Sequence, residues 1–337
     1  MRYPLGLRMS GSVLQTPLRF ERLCLEKVWG GRALEAVLGI SLPGSGPIGE
    51  TWEISDRREH ISRVAGGPFA GMTLRQLMQQ QRERLLGASR AAADGSFPLL
   101  IKLLDAREAL SIQVHPHART RKAGEETKTE SWYILAATPD AVLYFGLKPG
   151  VTREQLAAHA GKRSILECIE QQRVRAGDFV FVPAGTVHAI GGGIALIEIQ
   201  ENADTTHRLY DWDRPGLDGR PRALQIEDSL RVTRYDAPRP RGPFQPRLSE
   251  VAHGHRSHTL CLEPEFSVEL HQLEAGELVF EEDRVQILIV LEGELGLEHG
   301  LGVEQLGRGD VLLVPAACAR HRLTTRTNAR FLRAIAP

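Results

Sequence analysis

A twelve-residue pattern that occurs twice constrains the fold of this chain more than any other feature. GDFVFVPAGTVH runs from Gly177 to His188, and GDVLLVPAACAR runs from Gly309 to Arg320 with the same internal spacing. In each copy Gly-Asp makes a turn, alternating apolar residues make a buried strand, and Pro183 or Pro315 ends it. The first copy then aims His188 inward, whereas the second has Arg320 at the matching place. A repeated supersecondary unit predicts two similar domains. The difference at the final position predicts a metal in the first only.

The rest of the chain reads as β. Short apolar or alternating runs lie between Gly, Pro and Asp turns, as in ALSIQV (109–114), SWYILA (131–136), ALIEIQ (195–200) and VQILIVLEG (285–293). Helices are expected as insertions: 73–87 behind a Thr73 cap, a second after Thr152 with a Thr152/Gln155 capping box and a break at Gly161, and a third over 224–232. The Gly191, Gly192, Gly193 run opens no helix, so a tight hairpin turn is expected there rather than a phosphate cradle. The Pro/Arg-rich stretch 236–247 reads as a linker. The expected division is a mobile tail over 1–16, a metal-binding domain over 17–240 and a domain without metal ligands over 241–337.

Lys+Arg and Asp+Glu balance at 42 each, so there is no overall field to attract nucleic acid or an anionic membrane. No segment approaches a membrane span or a signal peptide. Cys24, Cys168, Cys261 and Cys318 are scattered without a CxxC pair, which fits a reducing cytoplasm and no thiolate zinc site.

Period-two alternation in SIQVHPH places Ser111, Gln113, His115 and, beyond Pro116, His117 along one strand face. In KTESWYIL the same rule aligns Lys128, Glu130 and Trp132. With His188 these segments offer two imidazoles, a carboxylate and an amide oxygen, a donor set suited to zinc with a coordination position left open. An HxH pair, His115 with His117, is the competing assignment.

The glycine–proline–histidine pattern resembles the second conserved motif of the cupin superfamily, implying tandem jelly-roll β-barrels with helical insertions. LSIQVHP (110–116), TKTESWYI (127–134), PAGTVHAI and LIEIQENADTTHRLYDWDR (196–214) together resemble the short bacterial mannose-6-phosphate isomerases. PIGETWEIS (47–55) and FPLLIKLLDA (97–106) extend the resemblance, which covers about 18–235. It implies one Zn2+ per chain on Gln113, His115, Glu130 and His188, and Arg208 as the active-site arginine.

The reaction so implied moves a proton between neighbouring carbons of a phosphorylated hexose through an enediol-like stage. Arg208 and Lys128 are candidates for meeting the developing negative charge or the phosphate, with Ser111 a further phosphate donor. Glu198 and Asp204 are the candidate bases. Two other readings stand beside this one: an iron oxygenase using His115, His117, Glu130 and His188, and a non-catalytic sugar-phosphate sensor. A monomer is expected, with a homodimer the alternative.

Overall fold

The structure is a computed structural model that describes residues 13–236 and 242–337. Of the expected tail, 1–12 lie outside the described residues, while Leu14 is fully buried. Of the expected linker, 237–241 lie outside. Beyond it Phe244 exchanges backbone hydrogen bonds with Phe179, 2.9 and 3.1 Å, and so extends the edge of the first half.

Eleven longer strands build the first half: β1 (Leu23–Gly31), β2 (Ile48–Ile54), β3 (Leu99–Ala106), β4 (Ile112–Val114), β5 (Glu130–Ala137), β6 (Val142–Leu147), β7 (Ile169–Arg173), β8 (Phe179–Val182), β9 (His188–Ile190), β10 (Ile194–Glu201) and β11 (His207–Tyr210). They form a six-stranded sheet in the order β1-β2-β3-β10-β5-β8 and a five-stranded sheet β11-β4-β9-β6-β7. The second half contributes β12 (Ser249–Ala252), β13 (His255–Leu262), β14 (Ser267–Leu273), β15 (Gly276–Glu281), β16 (Gln286–Glu292), β17 (Leu295–His299), β18 (Gly302–Leu306), β19 (Val311–Val314), β20 (Arg320–Thr325) and β21 (Ala329–Ile335). Their orders, β12-β13-β14-β21-β16-β19 and β15-β20-β17-β18, repeat those of the first half except that β11 has no counterpart. The sequence repeat is thus a topological repeat, two jelly-roll sandwiches in tandem.

Each sandwich has its own interior. Trp132, Ile134, Val180 and Leu196 of one sheet meet Leu143, Phe145 and Ile190 of the other in the first half. The largest core lies elsewhere, between the two six-stranded sheets. There Leu99, Ile101, Leu103, Phe181 and Ile197 pack with Phe266, Val268, Leu270, Ile287 and Leu332. This arrangement explains why β3 and β10 read as nearly unbroken apolar runs. Their strands are covered on both faces, by the interior on one side and the second sandwich on the other.

The inserted helices follow their caps. Thr73 accepts from Gln76 N–H in a capping box and opens Leu74–Gln80, which breaks at Gln81 before Arg82–Leu86. Thr152 and Gln155 form the second box, and that helix stops at Ala160, before Gly161 at φ 74°. The third helix is Ile226–Val232. The three-glycine run is not a hairpin turn, because β9 and β10 belong to different sheets. It carries the chain across the sandwich, with Gly193 at φ 78° against Thr138.

Candidate metal centre and active site

Strands β4 and β9 pair with Gln113 opposite His188, and β11 brings Arg208 to the other side of Gln113. The facing sheet contributes Glu130 at the start of β5. His115, Glu130 and His188 are almost wholly buried, and their ligand atoms lie within 4.8 Å of one another. His188 Nε2 stands 3.2 Å from Glu130 Oε1, and His115 Nε2 stands 3.6 Å from Glu130 Oε2.

Which ring nitrogen carries the proton follows from the partners on the other side. His115 Nδ1 donates to the Thr205 carbonyl and His188 Nδ1 to the Thr186 carbonyl, both at 2.9 Å. Those bonds leave both Nε2 atoms as acceptors. Gln113 Nε2 donates to His188 Nε2 at 3.3 Å, and Lys128 Nζ donates to His115 Nε2 at 3.3 Å. Burial holds His115 well below the usual histidine range, reinforced by Lys128, and brings His188 down to about 4. Two neutral imidazoles thus aim lone pairs at a buried carboxylate. Lys128 meets part of that crowd from its edge, and the convergence of two imidazoles and a carboxylate within 4.8 Å is a donor set that fits a divalent metal. Ser111 Oγ lies 3.1 Å from Gln113 Oε1; the hydroxyl can serve either amide atom, and turning the amide over would aim Oε1 at the cluster as one more acceptor.

Lys128 Nζ approaches Glu130 Oε2 to 2.6 Å and Glu198 Oε1 to 3.8 Å. Glu198 in turn lies 3.3 Å from Lys102 Nζ and accepts from Trp132 Nε1 at 3.2 Å. Lys102 sits 4.9 Å over the Trp52 ring and 3.9 Å from Glu50, which accepts from Trp52 Nε1 at 2.7 Å. A buried chain of alternating charges therefore leads away from the centre. Burial raises Glu130, while Lys128 and Lys102 outweigh burial at Glu198 and lower it. Burial likewise opposes ionisation of Glu50, yet Lys102 and Lys27 bring it down to about 2.

Lys102 and Glu50, which continue this chain of charges, are absent from the residues expected from the sequence. The signal was present in LLIKLLDA, where one lysine interrupts a strand buried at all eight positions. A cation in such a run must have a carboxylate partner inside.

Arg208 is partly buried with its Nε lacking a hydrogen-bond partner, and its backbone N–H donates to Gln225 Oε1. Asp204 is exposed on the loop after β10. His117 is outside the donor cluster, only partly buried beside Arg234, so the HxH pair is not brought together in it. Glu125, His207 and Asp228 form a second group of metal-type donors, but Arg231 already bridges Glu125 (2.6 Å) and Asp228 (3.0 Å).

The second sandwich keeps the framework and changes the donors. Arg320, expected in place of the histidine, points outward with a 77% exposed side chain and pairs with Glu281 at 3.5 Å. The inward position belongs to His321, which is 2% exposed and bonds the Cys318 carbonyl through Nδ1. Opposite Val314, where the first half has Glu130 opposite Val182, stands Gln286. Among the described residues, no group of three or more metal-type donors lies in this half.

Two jelly-roll sandwiches, one with a wholly buried imidazole–carboxylate centre, define a tandem cupin protein. Residues 18–139 match the family model for the catalytic domain of type I phosphomannose isomerase. The chain is 35% identical over 314 residues to mannose-6-phosphate isomerase ManA of Bacillus subtilis, covering 91% of this chain and 95% of that one. Against the mannose-6-phosphate isomerase of Streptococcus mutans it is 35% identical over 302 residues, 89% and 92% of the two chains. The crystal structure of the Bacillus subtilis mannose 6-phosphate isomerase superposes with a TM-score of 0.84 at 30% identity, over 95% of this chain and 99% of that one. The chain belongs to the mannose-6-phosphate isomerase family.

Proposed function

We propose that this protein interconverts mannose 6-phosphate and fructose 6-phosphate with one zinc ion held by Gln113, His115, Glu130 and His188. The observation that carries the reading is the pair of Nδ1-anchored imidazoles facing Glu130 beside Lys128. When bound, the metal polarises the sugar's carbonyl and hydroxyl oxygens as a Lewis acid.

The reaction removes a proton from C2 of the aldose and returns one to C1, while a hydroxyl proton passes between O2 and O1. Negative charge develops on oxygen in between. Lys128, at the edge of the donor cluster, and Arg208, beside Gln113, supply fixed positive charge to stabilise it. Glu198 is engaged by Trp132, Lys102 and Lys128, so its role is to hold Lys128 in place. Asp204, exposed on its loop, is the proton carrier. Ser111 is the further donor to the phosphate.

Residues 17–240 carry the chemistry and 241–337 cover the first six-stranded sheet, which supports a monomeric enzyme. Four free cysteines and no helix long and apolar enough to cross a membrane among the described residues support a cytoplasmic one. The test is conversion of mannose 6-phosphate before chelation, after it, and after zinc is restored. Loss and recovery are expected; a zinc-loaded protein that binds the sugar phosphate without turnover would overturn the reading in favour of a sensor.

A further inference from the structure

Two loops that meet above the centre are joined through one carboxylate that takes no part in the donor cluster. The loop after β10 carries Asp204 and, through the Thr205 carbonyl, sets the ring of His115. The segment before β5 carries Lys128 and Glu130. Glu126 accepts from Asp204 N–H at 3.2 Å, and its own N–H donates to Thr205 Oγ1 at 3.5 Å. Arg57 Nη1 donates both to Glu126 Oε1, 2.6 Å, and to the Asn202 carbonyl, 2.8 Å, bracketing the same loop from its other end.

We propose that Glu126, held by Arg57, is a positioning residue that fixes the Asp204–Thr205 segment against the Lys128–Glu130 segment. The inference rests on the isomerase reading above for its kinetic consequence but not for its geometry. The Arg57–Glu126 pair is half exposed, with side chains 23% and 36% accessible, so its direct contribution to stability is small. Its effect is geometric. The two loops bring together groups whose misplacement by about 1 Å can cost on the order of a hundredfold in rate. Glu201 ties Thr127 and Thr129 to the end of β10, but it reaches neither Asp204 nor Thr205. Those two residues depend on Glu126.

The experiment compares Glu126→Ala, Glu126→Gln and, as a control on the far face of the second sandwich, Glu281→Ala. Hydrogen–deuterium exchange over 202–206, zinc affinity by chelator competition, and kcat and KM are read on each folded protein. Glu126→Ala is expected to raise exchange in that segment, to weaken zinc about tenfold through the loosened Thr205–His115 bond, and to lower kcat about ten- to a hundredfold with little change in KM. Glu126→Gln keeps one oxygen acceptor but sets an amide N–H against either Arg57 or the Asp204 N–H, so it is expected to fall between Glu126→Ala and wild type, and Glu281→Ala to match wild type. Unaltered exchange at 202–206 in Glu126→Ala, or zinc affinity and kcat that stay at the wild-type values despite raised exchange there, would overturn the proposal. A wild type without turnover defeats the isomerase reading instead, and exchange and zinc affinity then still decide the clamp.

Discussion

Lys102 and Glu198 face each other across β3 and β10 at 3.3 Å, and the equivalent places on β14 and β21 hold the same pair with its charges exchanged, Glu269 and Arg333 at 2.9 Å. In the first sandwich the pair lies within a chain of charges that begins at the donor cluster and runs on to Glu50. In the second, Arg333 also takes Gln286 Oε1 at 2.6 Å and lies 4.3 Å over the Phe280 ring. A guanidinium thus serves as the internal cation of the half that lacks metal donors. Removing it leaves Glu269 without its cation inside the sandwich. Glu269 is 26% accessible and keeps His271 at 3.0 Å, so Arg333→Ala is expected to cost about 1–3 kcal/mol, read as a lower urea midpoint, while zinc content per folded chain stays at the wild-type value.

The ligands and the arginine beside them should separate cleanly. His188→Ala removes an anchored imidazole from the cluster and is expected to abolish zinc retention and turnover together. Arg208 touches none of the three clustered donors through its side chain, so Arg208→Ala is expected to keep zinc and lose about a hundredfold or more in kcat/KM. Metal analysis beside steady-state kinetics checks both. Zinc loss in Arg208→Ala would place that side chain in the cluster instead.

Much of this centre was legible before the structure because it is encoded locally. His115 and Gln113 share a strand face two residues apart, and His188 follows a turn–strand–proline unit of fixed length. Two things were not legible, for different reasons. Lys102 and Glu50 belong to the site only through strand pairings that bring β2, β3 and β10 together, and no local spacing encodes those. The second was the inward residue of the C-terminal repeat. From Pro183 to His188 the chain takes five steps, but a 3-10 turn over Ala316–Cys318 makes it six from Pro315 to His321. In a strand a one-residue slip exchanges the two faces, which sends Arg320 to solvent and His321 inside.

The core between the sandwiches is expected to make them unfold as one unit. Phe181 on β8 meets Phe266 edge-on, ring centroids 6.3 Å apart, where the two six-stranded sheets stack. Phe181→Ala is expected to cost about 3–5 kcal/mol. Because both sheets lose packing at once, calorimetry should show one transition moved to lower temperature. Two separated transitions would show that the halves unfold independently.

His321 should make the protein lose stability in mild acid, from a pH at which most carboxylates are still ionised. Burial brings this histidine down to about 4, with the nearby Arg333 adding to the shift and the Cys318 carbonyl opposing it. The folded value lies below the ordinary 6.5, so the unfolded chain takes up the proton first. Stability from the neutral ring is therefore complete above about pH 6.5, declines as the pH falls towards 4, and changes no further below that. Over the window the loss amounts to about 3 kcal/mol at most. His321→Leu removes the titration without adding a polar group, so its unfolding midpoint should fall less steeply than the wild type's between pH 6.5 and 4. Parallel curves for the two proteins would mean that His321 is already protonated in the folded state or exchanges its proton without cost.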